Sequence, residues 1–521
     1  MSNSGANGPE DGGVQDGAPL VGSSGGRAPL SRRSLLRRAA AGALALQVPA
    51  VVRAARAAAH GDPDELEPPD PAATARSTQP QPTSSDPASV GEWTAPVTAP
   101  VDVIPIHAIL LHTGKVLFLQ DQTAYLWNPV DGTGVSVDVE EHLFCSGHTF
   151  LPNGDVAFFG GAVLGVLGAG PPYVVTFSAA METWQRQPDM AQGRYYPTTT
   201  TLPTGQVLVT SGRTEDPSVF NEDVELFTSP STTTVVGSQR IDLYPHQQVL
   251  PDGTVIAFGP EKDTFLVDPS TWTWTALPRA LQGRTKASGA LLPGGPTGSW
   301  KVMMFGGKGA LPRDTTEMFD AANPGAGWTY RAPIPEPRED MNAVLLPDGK
   351  ILGVGGEASG EATLQTLMYD PGADTWTPLA SQVERRGYHA IALLLPDGRV
   401  VSSGDTATSG GRSLIEIYSP PYLFQGPRPT ITSAPGAVSP GKKFTIQTPS
   451  AVARVVLLRP GSVTHSNNMS QRHVELTFLP RAGRVIAMTP PNFNVAQPGY
   501  YLLFVLDSAG VPSVGRWLKL Q

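Results

Sequence analysis

One phrase recurs along this chain: an apolar strand, the four residues Leu-Pro-polar-Gly, then a second apolar strand ending in small residues. It reads Leu151-Pro152-Asn153-Gly154, Leu202-Pro203-Thr204-Gly205, Leu250-Pro251-Asp252-Gly253, Leu346-Pro347-Asp348-Gly349 and Leu395-Pro396-Asp397-Gly398. A degenerate first copy is Leu111-His112-Thr113-Gly114, and a stretched fifth copy runs from Leu292-Pro293 to Trp300, which makes seven units. Each phrase predicts a hairpin, because the tight turn needs a glycine free to take positive φ. The second strands close on Gly160-Gly161, Ser211-Gly212, Gly306-Gly307, Gly355-Gly356 or Gly404-Asp405. An aromatic strand follows in each unit, such as Leu126-Trp127-Asn128-Pro129 or Met368-Tyr369-Asp370-Pro371, and several copies then add a tryptophan (Trp184, Trp274, Trp328, Trp376).

A period of about fifty residues with a glycine pair and spaced aromatics is the kelch signature of a β-propeller. The expected fold is all-β: a seven-bladed kelch-type propeller over residues 91–425, whose ring closure protects the sheet edges. After that the repeat stops. Residues 426–521 carry alternating strands (Lys443–Gln447, Val452–Leu458, His473–Leu479, Tyr500–Leu506) between Pro/Gly turns, which predicts an immunoglobulin-like sandwich. The 56 Gly and 52 Pro among 521 residues follow no Gly-X-Y period, so collagen is excluded, and the 40% hydrophobic content excludes wholesale disorder. A net charge of −9 with no basic patch argues against a nucleic-acid partner.

Near the start, Ser31-Arg32-Arg33-Ser34-Leu35-Leu36-Arg37 precedes an uncharged stretch from Ala39 to Val52 and then Ala57-Ala58-Ala59. This order predicts a twin-arginine export signal over residues 1–59. Export would leave the protein in the periplasm, outside the cell or at the envelope. The apolar stretch is shorter than the roughly 20 residues a membrane span needs, and no later segment qualifies. Residues 60–90, rich in Pro, Ala, Ser and Thr, read as a disordered linker. One cysteine, Cys145, remains as an unpaired thiol in an exported chain, which calls for an explanation.

A propeller is a scaffold, so function has to come from a site. Ligand-type residues stand just ahead of three inner strands: Phe144-Cys145-Ser146-Gly147-His148, Arg194-Tyr195-Tyr196-Pro197 and Arg386-Gly387-Tyr388-His389. They precede the second, third and seventh turns by six to seven residues, and such matched positions converge near the ring axis. Imidazole suits copper, and a phenolate is an oxygen ligand that a metal can hold ionised. Taken singly, each of these residues is more often core than ligand; it is their matched spacing that singles them out.

These segments resemble the copper radical oxidases, the galactose oxidase and glyoxal oxidase family. Arg386-Gly387-Tyr388-His389 with Leu393-Leu394-Leu395-Pro396-Asp397-Gly398 is similar to its axial-tyrosine and first-histidine segment. Val463-Thr464-His465-Ser466-Asn467-Asn468 is similar to its second-histidine loop, and Pro498-Gly499-Tyr500-Tyr501 onward to its closing strands. The resemblance spans roughly residues 95–521 and implies that the C-terminal sandwich is of the early-set kind. It implies a Cys145–Tyr196 thioether as redox cofactor, with Tyr196, Tyr388, His389 and His465 as copper ligands and Tyr388 as proton acceptor. The implied enzyme is a monomer that oxidises a small aldehyde or primary alcohol with O2, releasing hydrogen peroxide. Galactose oxidases carry a tryptophan over the thioether, where this chain has Ser211-Gly212-Arg213-Thr214; the stacking residue is therefore missing or comes from elsewhere. Tyr195-Tyr196-Pro197 and Leu243-Tyr244-Pro245-His246 look more like the glyoxal oxidase branch, which favours small aldehydes or simple alcohols over galactose.

Among the other histidines, His60 lies in the linker, and His107, His112, His142, His148 and His473 have no metal-type spacing and read as structural or exposed. His246, just before an inner strand, is a candidate pocket residue. Two further readings stay open. One is a non-catalytic kelch module binding a glycan or protein at the cell surface, with Cys145 a free thiol. The other is a hydrolase on the same scaffold, for which the sequence offers no paired carboxylates or arginine triad at matching positions.

Overall fold

The structure is a computed structural model that describes residues 82, 84–229, 232–405 and 413–521. The expected export signal lies outside the described residues, as does the expected linker up to residue 81. The linker's last residues are ordered. Asp86 caps a helical turn, Pro87–Val90, by accepting a hydrogen bond from the Ala88 amide, and the Tyr418 hydroxyl donates to the Val90 carbonyl at 2.6 Å.

From His107 the chain folds into seven successive antiparallel meanders, six of four strands in sequence and a seventh completed from elsewhere. Each begins with the hairpin read from the repeat. At the second copy, Gly154 takes φ +95° and its amide closes the turn onto the Leu151 carbonyl at 3.0 Å. Pro152 supplies the fixed φ of the preceding position, as a type I turn with a trailing left-handed glycine requires. The innermost strands of the sheets contact one another in cyclic order, with Ser462–Thr464 standing between Ala390–Leu394 and Gly147–Phe150, so they line a ring.

Two devices bind neighbouring sheets. Trp184, Trp328 and Trp376, on fourth strands, lie directly opposite Phe177, Phe319 and Tyr369 on the third. The indoles of Trp328 and Trp376 also reach the previous sheet, donating to the hydroxyls of Thr264 (3.0 Å) and Thr316 (3.2 Å). The seventh sheet (Ala390–Leu394, Val400–Gly404, Leu414–Ser419) has no fourth strand of its own; Glu92–Trp93 supplies it, with Trp93 opposite Tyr418 and its indole on Thr366 of the sixth sheet at 3.0 Å. Trp93 therefore does for the last sheet what the repeat tryptophans do for the others, and the two ends of the ring are joined by backbone pairing.

After Gln425 a five-stranded and a three-stranded sheet pack as a sandwich around Phe444, Ile446, Val455, Leu457, Tyr501 and Leu503. The strands Arg454–Arg459 and Gly499–Leu506 are buried on both faces. Their alternate residues Val456, Leu458, Leu502 and Phe504 pack instead against propeller side chains such as Ile391 and Leu393. A period of two thus splits one strand pair between two cores. The next hairpin, Ser462–Thr464 with Asn467–Asn468, leaves the sandwich and pairs with His107–Ile109 as an added inner strand of the first sheet. Among the described residues no helix is long and apolar enough to cross a membrane.

Candidate functional site

A single backbone rule builds the site. In six of the seven sheets the residue six positions before the turn leucine sits at positive φ: Cys145 (61°), Tyr196 (66°), Tyr244 (49°), Lys286 (58°), Asp340 (59°) and His389 (69°). Left-handed backbone costs a non-glycine residue about 1–2 kcal/mol, and such strain gathers where a side chain has to be aimed. In the first copy that position is Pro105, whose ring forbids the conformation.

The strained loops are anchored from behind. Arg194, Arg284 and Arg338 lie two residues ahead of Tyr196, Lys286 and Asp340, and Arg386 two ahead of Tyr388; all four are fully buried. Arg194 donates to Glu225 (2.9 Å) and to the carbonyls of Ser211 and Asp223 (both 2.7 Å). Arg386 pairs with Glu416 at 3.0 Å and Arg284 with Glu317, while Arg338 donates to the Gln365 carbonyl at 2.8 Å. Arginines therefore do recur at matching positions, contrary to the sequence reading, but they are bound inside their own sheets and turned to structural work.

His465 arrives on the hairpin from the sandwich. It and Ser466 form the two-residue turn, both at positive φ (49° and 62°), where a hairpin ordinarily prefers Asn-Gly. The Thr464 hydroxyl donates to the Ile106 carbonyl (2.9 Å) and so accepts from His465 Nδ1 at 2.6 Å. That fixes the tautomer and leaves the Nε2 lone pair facing the site, 3.4 Å from Cys145 Sγ. Burial, followed by the neighbouring His389, His148 and Lys286, holds the His465 imidazole well below its ordinary pKa, so it is neutral.

Around this point the donor atoms of Cys145, His389 and His465 all lie within 4.8 Å of one another. The hydroxyls of Tyr196 and Tyr388 stand 2.5 Å apart. The His389 ring lies 4.5 Å from that of His465 and nearly perpendicular to it (89°). Burial, then the neighbouring Cys145, Tyr195 and Tyr388, pushes the Tyr196 phenol well up, and burial does the same to the Cys145 thiol. The Tyr196 phenol and the Cys145 thiol are therefore held protonated. Tyr196 is held between two parallel rings, Tyr195 at 4.3 Å and Tyr244 at 4.6 Å. Stacking on Tyr196 thus comes from its own neighbour Tyr195 and from Tyr244 of the fourth copy. A cavity of about 520 Å³ opens over Tyr196, Tyr388 and His465, with His246 and Phe220 in its wall. Lys286 and Asp340 also line it; the Lys286 ammonium lies 4.9 Å from the centre of the Tyr388 ring and 2.7 Å from Asp340. Burial opposes that charge, but Asp340 and Glu339 outweigh it and keep Lys286 protonated.

Cys145, Tyr196, Tyr388, His389 and His465 thus come together. His246 stands in the cavity wall, bonded to Asn467 at 3.2 Å. His107 and His148 bond to each other at 3.0 Å behind the site, His112 stacks on Tyr500, His142 pairs with Asp121, and His473 meets the Pro347 carbonyl. His60 lies outside the described residues. Lys286 and Asp340 were not expected here, nor was any role for Tyr244; the six-residue spacing, applied to every copy rather than three, would have found all three.

Known proteins resemble this chain in sequence and in fold. The family model Glyoxal oxidase N-terminus matches residues 124–413, and the Galactose oxidase-like, Early set domain model matches residues 428–520. A galactose oxidase of Gibberella zeae is 28% identical over 447 residues, covering 76% of this chain and 63% of that protein. The aldehyde oxidase GLOX of Vitis pseudoreticulata is 28% identical over 435 residues, covering 72% of this chain and 82% of that protein. A solved structure described as a novel fungal alcohol oxidase with catalytic diversity among the AA5 family, in complex with copper, superposes with a TM-score of 0.74 at 23% identity. It covers 83% of this chain and all of that one, and shows the shared fold. Since the first of these models spans more than half of its length, the chain belongs to the galactose oxidase and glyoxal oxidase family.

Proposed function

We propose that the protein is an exported copper radical oxidase that converts a small aldehyde or primary alcohol, with O2, into the oxidised product and hydrogen peroxide. One observation carries this reading: a thiol, two phenols and two imidazoles from four distant segments meet at one buried point, most of them on strained backbone. The donor set fits copper, since two imidazoles and two phenols are nitrogen and oxygen ligands of the kind copper(II) accepts. The Tyr196 phenol, pushed up by burial and by its neighbours, would ionise only beside a strong positive charge, which a dication supplies.

His389, His465, Tyr196 and Tyr388 would hold the metal, with Cys145 joined to Tyr196 through a thioether. Copper, when bound, supplies Lewis acidity toward the substrate oxygen and one of the two one-electron equivalents the oxidation requires. Tyr196 with its sulfur supplies the other by accepting a hydrogen atom from the substrate carbon. Tyr388, held as a phenolate, would accept at its phenolic oxygen the hydroxyl proton of the alcohol or of the hydrated aldehyde. Oxygen takes up two electrons and two protons and leaves as hydrogen peroxide. The cavity is ample for a small aldehyde or a simple alcohol, and Tyr244 stacked on Tyr196 supports the glyoxal-oxidase-like preference.

The test is the covalent bond. Protein loaded with copper in air should lose the mass of two hydrogen atoms, and Cys145 should stop reacting with an alkylating agent. A thiol that still alkylates completely would leave a non-catalytic binding propeller as the better reading. Peroxide release across a panel of aldehydes and alcohols then identifies the substrate.

A further inference from the structure

Two tyrosines whose hydroxyls stand 2.5 Å apart share the candidate centre, and only one of them should surrender an electron. Their surroundings differ in sign. Tyr196 is sandwiched between Tyr195 and Tyr244. The faces of those rings carry negative potential, which stabilises an electron-poor neighbour. Tyr388 has the His389 ring on it at 3.8 Å and the Lys286 ammonium 4.9 Å from its centroid. A cation is attracted to an electron-rich ring and repelled by the same ring once it has lost an electron.

Lys286 is deliberately held there. It occupies the strained position that delivers Cys145, Tyr196 and His389 in other sheets, although a lysine has no intrinsic preference for left-handed backbone. Its ammonium sits 2.7 Å from Asp340, 3.3 Å from Glu339 and 4.0 Å from Glu357. Those three carboxylates lie close enough together to hold a metal ion, but the ammonium already sits among them. Two more cations stand in the cluster, Lys308 on Glu339 at 3.5 Å and Arg385 on Glu357, the arginine being shared with Asp405 at 2.9 Å. The carboxylates thereby fix the lysine in place.

We propose that Lys286 is a positioning residue that confines the one-electron hole to Tyr196 by keeping a positive charge against the Tyr388 ring. This rests on the oxidase reading above.

The test reads where the unpaired electron resides. Full-length protein is matured with copper in air, stripped with a chelator, oxidised with hexachloroiridate(IV) and examined by electron paramagnetic resonance. The wild-type protein should give one radical, with the spectrum of a sulfur-substituted ring. Lys286→Met should add a second component typical of an unmodified tyrosyl, and that component should vanish when Tyr388→Phe is added. Lys286→Arg should restore the single signal. Because Lys286→Met leaves Asp340 without its nearest cation, the neutral pair Lys286→Met/Asp340→Asn repeats the measurement without an orphaned charge and should show the same second component. A single wild-type spectrum in both lysine-free variants overturns the assignment of Lys286. No sulfur-substituted signal in the wild-type protein, with Cys145 still alkylatable, overturns the oxidase reading itself and the proposal with it.

Discussion

Arg194 offers the sharpest test of how the fold delivers Tyr196. Its guanidinium is fully buried, donates to the carbonyls of Ser211 and Asp223, and pairs with Glu225, whose other oxygen accepts from the Ala191 amide at 3.0 Å. Arg194→Met removes the cation and strands a buried carboxylate and two carbonyls; breaking such a pair from one side costs about 3–5 kcal/mol. At about 2.1 cal/mol/K per residue, the roughly 440 residues from 82 onward unfold with an entropy near 0.9 kcal/mol/K, so that loss lowers Tm by about 3–5 °C. Arg194→Met/Glu225→Leu replaces both charges by apolar groups and should recover most of the stability, because well-packed hydrophobic replacements of buried ion pairs are close to neutral. The carbonyls of Ser211 and Asp223 still lack their donor in the double variant, so the loop two residues away should stay loose and thioether formation on copper loading slow. Scanning calorimetry gives the first quantity and intact mass against time the second. A single variant melting within about 1 °C of the wild-type protein, or a double variant maturing at the wild-type rate, refutes the anchoring role.

Thr464→Val removes the hydroxyl that orders His465 Nδ1; copper affinity should fall about 10–100-fold, as for other lost partners of ligating histidines, read by competition with a chelator. Tyr244→Leu removes one ring from the Tyr196 stack, so the radical's reduction potential should rise and its optical band shift, read by spectroelectrochemistry. His473, buried between sandwich and propeller, has its pKa lowered from 6.5 to about 4, first by burial. The unfolded chain takes up that proton near its ordinary value, so stability is full above it and is lost as pH falls toward 4, by on the order of 3 kcal/mol. His473→Gln should flatten this slope in urea melts between those pH values; an unchanged slope counts against the assignment.

Particular residues show what could be read in advance. The Leu-Pro-polar-Gly hairpins were legible because each turn is a local affair of a fixed proline φ and a glycine at positive φ. The repeat tryptophans even contain the signal for ring closure, since Trp93 matches their place on a fourth strand; but nothing local says that a strand starting at residue 92 pairs with one ending at residue 419. Lys286 and Asp340 hold the repeat position in the sequence but were passed over as site residues, because charged side chains read as surface until both are seen to be buried. The Arg-Glu anchors were missed for the same reason. Arg386 and Glu416 lie thirty residues apart, and only the pairing of the third strand with the second brings them together.

By itself the sequence determined the all-β class, the phase of the repeat and the residue types that chemistry would need, because hairpin geometry and strand alternation act over a few neighbouring residues. Only the tertiary structure decided which of those residues meet. Tyr196 and Tyr388 are 192 positions apart and Cys145 and His465 are 320 apart. Their contact exists because closing the ring turns equivalent positions of different sheets toward one axis, and because a hairpin from a separate sandwich becomes an inner strand of the first sheet. The stack on Tyr196 and the ammonium on Tyr388 follow from that same closure, which places the fourth and fifth copies beside the third and seventh at the channel.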